Sequence, residues 1–452
     1  MGRRSRIDKE SKNPTLNDVA AKEETTLLVG FKELKNNLLG GKESLEELHA
    51  LANTAGAIIK QELMLKINNP DPSFYLGRGK VEELALIVQQ EDIDLVIFDD
   101  ELSPRQQHNL EDHLDCRVID RTALILHIFA QRAKTKEGKL QVELAQLKYL
   151  LPRLRGIGTE LSRLGGGIGT RGPGETKLES DRRHIRRRIG ELQKKIAQIK
   201  KQRGIIRQKR TQEEIPVVAL VGYTNAGKST ILNTLTGADA LAENKLFATL
   251  DPTTRKLTLG QEDVLLTDTV GFIHKLPHQL IAAFRATLEE IKYADLLLHV
   301  VDASNPAIPA QIETVNRVLK ELDSLNKPTI MVFNKWDLVQ DPLELHPLIN
   351  RNAPAIAISA AKNYQLDELL NLISANLPAQ PQLVHLLLPF AQSNLTGLLY
   401  QAGKVAETEY REEGIYCAVY LTEQYVEQFK DYMLPTSGRK SSKEGENTNG
   451  QD

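Results

Sequence analysis

Apolar positions along the chain follow two alternating periodicities. From Thr25 to about Lys134, short β-rich runs, TLLVG (26–30), AIIKQELMLKI (57–67), LVIFD (95–99) and CRVID (116–120), read as strands. Between them, LEELHALANT, VEELALIVQQ, SPRQQHNLEDHL and RTALILHIFAQRA read as helices. Strand–helix alternation at this pitch predicts a parallel sheet covered by helices. An N-terminal α/β domain over 23–135 follows, preceded by a polar segment, 1–22, expected to be disordered.

The pattern then changes. Leu140, Leu144, Leu147, Leu151 and Leu154 are spaced 4, 3, 4, 3, and beyond a Gly-rich stretch Leu178, Ile185, Ile189, Leu192, Ile196 and Ile199 are spaced 7, 4, 3, 4, 3. Both are heptad seams, and a glycine-rich connection lets two such helices fold back as an antiparallel hairpin over 136–212. Pro152 should kink or end the first helix. Strand–helix alternation resumes over 213–378. Residues 379–433 read strand (LVHLLLP), helix (FAQSNLTGLLYQA), strand (KVAETEYRE), strand (GIYCAVYLT), helix (EQYVEQFKDYM), a small α+β module. The polar tail 434–452 is expected to be disordered. The fold class is α/β multidomain.

Charge sharpens this division. The 452 residues carry a net −2, yet residues 151–210 hold 18 Lys and Arg against 5 Asp and Glu, a local +13 in an otherwise acidic chain. Such asymmetry is expected where one part touches nucleic acid or an acidic membrane surface. Two cysteines, Cys116 and Cys417, make no disulfide framework and suit a reducing compartment. No apolar run reaches the ~18 residues of a membrane span, so a soluble, cytoplasmic protein is expected, with peripheral membrane contact left open.

The chemistry lies in the third segment. The apolar run VVALVG (217–222) leads into Gly222-Tyr223-Thr224-Asn225-Ala226-Gly227-Lys228-Ser229 and then the helical TILNTL. In this spacing the glycines let backbone N–H groups wrap phosphates, Lys228 neutralises the β- and γ-oxygens, and Ser229 offers its hydroxyl to Mg²⁺. The positive end of the following helix adds to the attraction. Asp268-Thr269-Val270-Gly271 ends the strand VLLT: the carboxylate can hold Mg²⁺ through water, and the Gly271 amide can sense the γ-phosphate. Asn334-Lys335-Trp336-Asp337 ends the strand TIMVF. A carboxylate there accepts from both N1–H and the 2-amino group of guanine, a donor pair adenine lacks. Lys335 should lie along the base, Asn334 should tie this loop to the phosphate loop, and Ser359-Ala360-Ala361 should offer backbone N–H to the guanine oxygen.

The set looks like the translation-factor-related GTPases. Leu246-Phe247-Ala248-Thr249-Leu250-Asp251-Pro252-Thr253-Thr254-Arg255, with Asp268-Thr-Val-Gly271-Phe272-Ile273, resembles the HflX family of ribosome-associated GTPases. Tyr75-Leu-Gly-Arg-Gly-Lys80, Val118-Ile-Asp-Arg121, Gly138-Lys-Leu-Gln-Val-Glu-Leu-Ala-Gln-Leu147 and Gly172-Pro-Gly-Glu-Thr-Lys-Leu-Glu179 match it too, so the likeness spans roughly 25–435. It implies a doubly wound P-loop GTPase domain, hydrolysis of GTP to GDP and phosphate with Mg²⁺, and binding to the large ribosomal subunit and its rRNA, in translation, ribosome assembly or subunit dissociation under stress. It also implies that Phe247, Ala248, Leu250 and Asp251 border the nucleotide and that Thr249 is the switch threonine meeting Mg²⁺ and γ-phosphate. From the residues alone Thr249, Thr253 and Thr254 stay equivalent. Where many GTPases place a water-orienting glutamine, this chain has Phe272, so hydrolysis by the isolated protein, resting on Lys228, Gly271 and the metal, should be slow.

The hairpin supplies the RNA candidates. Arg182, Arg183, Arg186, Arg187 and Arg188 flank Ile185 as a basic stripe beside the apolar seam, and Arg163 and Arg171 sit in the glycine-rich tip. Phosphate-backbone contact accounts for them, and the scarcity of aromatics points to structured RNA rather than single strands. The competing function is an RNA-binding or remodelling factor gated by nucleotide, with hydrolysis secondary. The free protein is expected to be monomeric. Gly167-Ile-Gly169-Thr-Arg-Gly172 fits a dinucleotide pattern, but a helix precedes it and Pro173 follows. Gly77-Arg-Gly-Lys80 reads as a strand-to-helix turn, with a second nucleotide site kept open by the resemblance. Asp99, Asp100 and Glu101 read as a solvated strand end and helix cap, and the histidines show no metal-ligand spacing.

Overall fold

A computed structural model describes residues 24–32, 40–67, 69–154, 173–212, 215–237, 246–247, 250–260, 262–275, 288, 290–378 and 382–434. The tip arginines Arg163 and Arg171, the switch residues Ala248 and Thr249, and most of both terminal segments lie outside these residues. The chain divides into two compact units between Asn376 and Leu377.

The first unit begins with four parallel strands, β1 (Thr25–Lys32), β2 (Ile58–Lys66), β3 (Leu95–Phe98) and β4 (Arg117–Asp120), in the order β2-β1-β3-β4. Alternation on β1 decides the layering. Leu28 packs with Leu45, Leu48 and Leu51 of α1 (Gly41–Ala55) and with Ile125, Ile128 and Phe129 of α4 (Arg121–Arg132). Leu27 and Val29 pack on the opposite face with Val81 and Leu84 of α2 (Arg78–Gln90) and Leu110 and Leu114 of α3 (Pro104–Leu114). A capping box between Ser103 and Gln106 starts α3, and Asp120 caps α4 through the Ala123 N–H at 2.8 Å.

Helix α5 (Lys136–Arg153) ends one residue past Pro152. It packs against α6 (Pro173–Gln212) with Glu143 bonded to Arg188 and Glu137 to Arg203, so advancing along one helix retreats along the other: the hairpin is antiparallel. Leu192 of the expected seam is fully buried. On α5 the seam leucines are only half-buried apart from Leu144, and the deeper face is Gln141, Val142, Ala145 and Tyr149. The reason is a second partner: α5 also lies on α4, with the Tyr149 hydroxyl donating to Asp120 at 2.9 Å.

The six-stranded sheet that follows is ordered β10-β9-β8-β5-β7-β6, from β5 (Val217–Gly222), β6 (Thr253–Leu259), β7 (Glu262–Asp268), β8 (Leu296–Asp302), β9 (Thr329–Asn334) and β10 (Ala355–Ala357). All neighbours are parallel except β6 on β7. Helix α7 (Lys228–Thr236) follows β5, and among the described residues α8 (Ile308–Glu321), α9 (Pro342–Arg351) and α10 (Leu366–Asn376) follow β8, β9 and β10. The loops bearing the candidate motifs leave the carboxyl ends of β5, β7, β9 and β10, the edge where such sheets bind ligands.

The second unit is an antiparallel sheet β11-β13-β12, of β11 (Gln382–Leu388), β12 (Gly403–Arg411) and β13 (Gly414–Leu421), over a core of Leu386, Leu388, Leu399, Cys417, Val419 and Phe429. Two expected helices are shorter than their apolar patterns suggest. A 3₁₀ turn, Phe390–Gln392, precedes α11 (Asn394–Ala402), and α12 (Glu423–Gln428) breaks at Phe429 into a second 3₁₀ turn. Phe429, at the junction between the two, is fully buried.

Candidate functional site

The loop Gly222–Ser229 leaves the central strand β5. Gly227 precedes α7 at φ +95°, where a side chain would also collide with Asn334 Nδ2, so only glycine fits. Asn225 adopts the left-handed conformation that asparagine tolerates. Lys228 is buried, with Nζ donating to the carbonyls of Gly222 (3.1 Å) and Tyr223 (2.7 Å). Burial pushes its ammonium down to about 8, against the pull of Asp268. The same burial, with Lys228 nearby, holds His299 of β8 down to about 4.

Ser229 Oγ donates to Asp268 Oδ2 at 2.7 Å, joining the start of α7 to the end of β7. A hydroxyl beside a carboxylate is a hard-oxygen set of the kind Mg²⁺ takes, so the residues fit that ion. Thr269 Oγ1 donates to the Leu220 carbonyl at 2.7 Å, and Val270 is buried. A side chain on Gly271 would stand 2.8 Å from Thr224 Cα and 3.1 Å from Lys228 Nζ. Beyond it the backbone pairs with the phosphate loop: Phe272 N–H donates to Gly222 O (3.1 Å), and Thr224 N–H to Phe272 O (2.7 Å). The Phe272 ring is itself buried in the core.

At the other end, Asn334 Nδ2 donates to the Ala226 carbonyl (2.9 Å) while its Oδ1 accepts from Ala360 N–H (3.1 Å). One side chain thereby links three loops. Lys335 Nζ pairs with Asp302 at 2.6 Å, Trp336 N–H donates to Ile358 O at 3.0 Å, and Asp337 Oδ1 accepts from Ser359 Oγ at 2.6 Å. Ala361 follows at the exposed end of this turn.

The N-terminal region reaches into the site, which local sequence patterns do not reveal. Tyr223 donates its hydroxyl hydrogen to the Glu47 carboxylate (2.9 and 3.0 Å), and His274 N–H donates to the Tyr223 oxygen (2.8 Å). Glu47 pairs with Arg121 (3.1 Å), Arg121 with Asp99 (2.6 Å), and Lys275 with Asp99 (2.7 Å) and Asp100 (2.5 Å). Burial raises the Glu47 carboxyl above its usual range despite Arg121. Burial acts on Asp99 as well, but Arg121 and Lys275 together outweigh it and hold its carboxyl low. Asp99 is therefore a buried ion-pair centre rather than a solvated strand end, because two cations distant in sequence converge on it. Phe247 packs edge-on against Phe129 with ring centres 4.6 Å apart, and Leu250 is buried nearby. The Asp251 carboxylate accepts from Lys134 N–H (3.0 Å), Thr135 N–H (2.8 Å) and the Thr135 hydroxyl, at the start of α5.

On α6, Arg183, Arg186 and Arg187 are exposed and Arg182 is half-buried, with Arg187 also pairing with Glu191 at 3.1 Å. Arg188 bonds Glu143 of α5 at 2.7 Å and so braces the hairpin, an acid that the immediate sequence neighbourhood does not show. Arg78 and Lys80 of the Gly77 turn are exposed at the start of α2. Among the described residues, no group of three or more His, Cys, Asp or Glu is placed to hold a metal, and no helix is long and apolar enough to cross a membrane.

A doubly wound sheet carrying a phosphate loop, a D-x-x-G turn against it and an N-K-W-D loop defines a P-loop GTPase. Comparison with known proteins agrees. Residues 42–130 match the family described as GTP-binding GTPase N-terminal, 132–210 that described as GTP-binding GTPase Middle Region, and 217–335 that described as 50S ribosome-binding GTPase. The chain is 52% identical over 394 residues to the GTPase HflX of Caldanaerobacter subterraneus subsp. tengcongensis, covering 87% of this chain and 91% of that one. It is 45% identical over 376 residues to the GTPase HflX of Escherichia coli, covering 82% and 87% respectively. A crystal structure of a GTP-binding protein from Sulfolobus solfataricus in complex with GDP matches at 28% identity and a TM-score of 0.42, over 78% of this chain and 98% of that one. The chain belongs to the HflX family of GTPases, and it is a GTP hydrolase.

Proposed function

We propose that this GTPase acts on the large ribosomal subunit, binding its rRNA and hydrolysing GTP there, in translation, ribosome biogenesis or ribosome splitting under stress. The observation that carries the reading is the match of residues 217–335 to the family described as 50S ribosome-binding GTPase. The exposed Arg183, Arg186 and Arg187 on α6 support it by offering a row of phosphate-binding charges. Such a partner places the protein in the cytoplasm, free as a monomer.

In this reading the residues from Gly222 to Ser229, with Asp268 to Gly271, enclose the phosphates. Lys228 neutralises the terminal oxygens and the Gly271 N–H meets the γ-phosphate. Asn334 to Asp337, with Ser359 to Ala361, hold the guanine. Phe247 to Asp251 border the nucleotide on the remaining side. Ser229 and Asp268, the latter through water, together with Thr249, would hold Mg²⁺, which supplies charge neutralisation between the β- and γ-phosphates. The test is co-sedimentation with purified ribosomal subunits in GDP or a non-hydrolysable GTP analogue. Binding to the large subunit that is stronger with the analogue supports the reading, and equal, salt-insensitive partition between subunits overturns it.

A further inference from the structure

We propose that the hydroxyl of Thr224 orients the attacking water in GTP hydrolysis, the task for which Phe272 has no polar atom. This rests on reading Gly222–Ser229 and Asp268–Gly271 as the loops around the terminal phosphate.

Three observations converge on Thr224. Its side chain is more than nine-tenths buried, and its Oγ1 has no hydrogen-bond partner among the described residues. Buried hydroxyls are ordinarily satisfied, and valine has the same shape without the desolvation cost, so packing alone does not account for a threonine here. Its position is also set tightly. Its N–H is held by the Phe272 carbonyl at 2.7 Å, and a side chain built on Gly271 would lie 2.9 Å from Thr224 Cγ2 and 3.1 Å from Lys228 Nζ. Thr224 and Lys228 therefore both stand beside Gly271, the glycine whose amide meets the γ-phosphate in that reading. Finally, Phe272 is turned into the core, where its ring is fully buried, so the chain after Gly271 brings no donor or acceptor side chain at that position.

In the step itself, a water oxygen forms a bond to the γ-phosphorus as the bond from that phosphorus to the β,γ-bridging oxygen breaks. The electron pair leaves with GDP, and the protons of the water remain on the phosphate released and in solvent. Thr224 accepts one hydrogen bond from the water and is unchanged at the end, so the role needs geometry rather than a shifted acidity.

The experiment compares Thr224→Val with Thr224→Ser in the full-length chain, measuring single-turnover phosphate release at saturating GTP, KM for GTP and affinity for GDP. The expected result is a fall in kcat of about 10- to 100-fold for valine, with KM and GDP affinity within about twofold of wild type. Serine, which keeps the hydroxyl, should stay within a few-fold of the wild-type kcat. Wild-type turnover by the valine variant overturns the proposal. So does a rate loss matched by an equal loss of GDP affinity, which marks a packing role. Should the valine variant not fold, Thr224→Ala, which only removes atoms, carries the same comparison. A wild-type protein unable to bind GDP would instead overturn the reading of the loops.

Discussion

Single side chains in this site carry discrete amounts of specificity and stability. Asp337 accepts from the Ser359 hydroxyl at the end of β9, and in the nucleotide reading its carboxylate also meets the two guanine donors. Asp337→Asn should weaken GTP binding by about 2–3 kcal/mol, roughly 30- to 150-fold, and shift preference toward xanthosine triphosphate. Titration with fluorescent analogues of the two nucleotides checks this, and an unchanged guanine-to-xanthine ratio contradicts it. His299 and His274 bear on pH. Burial, helped by Lys228, lowers the folded value of His299 from 6.5 to about 4, and burial beside Arg121 and Lys275 lowers that of His274 to about 3. Lowered values mean that the unfolded chain binds protons first on acidification. Their stabilisation is whole above pH 6.5 and is lost as the pH falls toward 4 for His299, by about 3 kcal/mol, and toward 3 for His274. Urea unfolding between pH 7 and pH 4.5 should show the decline, and His299→Gln should flatten part of it.

Between elements, a buried ionic cluster joins the N-terminal sheet to the loops after β5 and β7. α1 contributes Glu47, the start of α4 contributes Arg121, and the end of β3 leads into Asp99, while Tyr223, His274 and Lys275 come from the loops after β5 and β7. Removing one member of a buried ionic cluster leaves the others uncompensated. Glu47→Ala should therefore cost about 3 kcal/mol, whereas Tyr223→Phe, which removes only the hydroxyl, should cost about 1–2 kcal/mol. Combined, the two should cost less than their sum, because they delete one shared contact. Denaturant unfolding of the two single variants and the double variant reads this directly, and strict additivity would refute the coupling. A second tie runs from Asp251 to the start of α5, where its carboxylate accepts two backbone N–H bonds. Asp251→Ala should cost about 1–2 kcal/mol, because it removes the acceptor that fixes Lys134 and the N-cap residue Thr135.

For the whole molecule, the issue is how a site without a water-orienting glutamine is switched on. The antiparallel α5–α6 hairpin is anchored on α4, whose Phe129 touches Phe247 beside the nucleotide loops. A load on the basic face of α6 thus has a packed path toward the site. We expect slow intrinsic turnover that rises when large ribosomal subunits are added. Neutralising Arg183, Arg186 and Arg187 together should reduce the salt dependence of subunit binding by about one unit of slope per lost phosphate contact and weaken the stimulation, while GTP affinity holds. Phosphate release with and without subunits over a salt series tests this. Undiminished stimulation in the triple variant would mean that another surface docks the subunit. Arg188 is left out because it braces the hairpin through Glu143.

Much of this protein is written in local pattern. The four N-terminal strands, β5, β7, β9 and β10, the antiparallel hairpin and the loops bearing Gly222–Ser229, Asp268–Gly271 and Asn334–Asp337 are legible because each rests on short-range rules: alternation, heptad spacing, and glycines where phosphate or backbone must come close. The antiparallel edge strand β6 is not, because the run 253–259 is largely polar. The two small C-terminal helices are present but shorter than their apolar runs, each flanked by a 3₁₀ turn, because an apolar pattern marks the buried face and not where the helical bonding tightens. What the tertiary structure alone decided is the partnership of distant charges. Asp99 looked like a solvated strand end until Arg121 and Lys275 closed on it, Arg188 looked like one more surface cation until Glu143 met it, and Glu47 had no mark at all before Tyr223 reached it. The physical reason is common to all three. Pattern along a chain reports which face of an element is buried, but the sign and position of the charge that compensates a buried ion depend on which elements the fold brings together, and no local spacing encodes that.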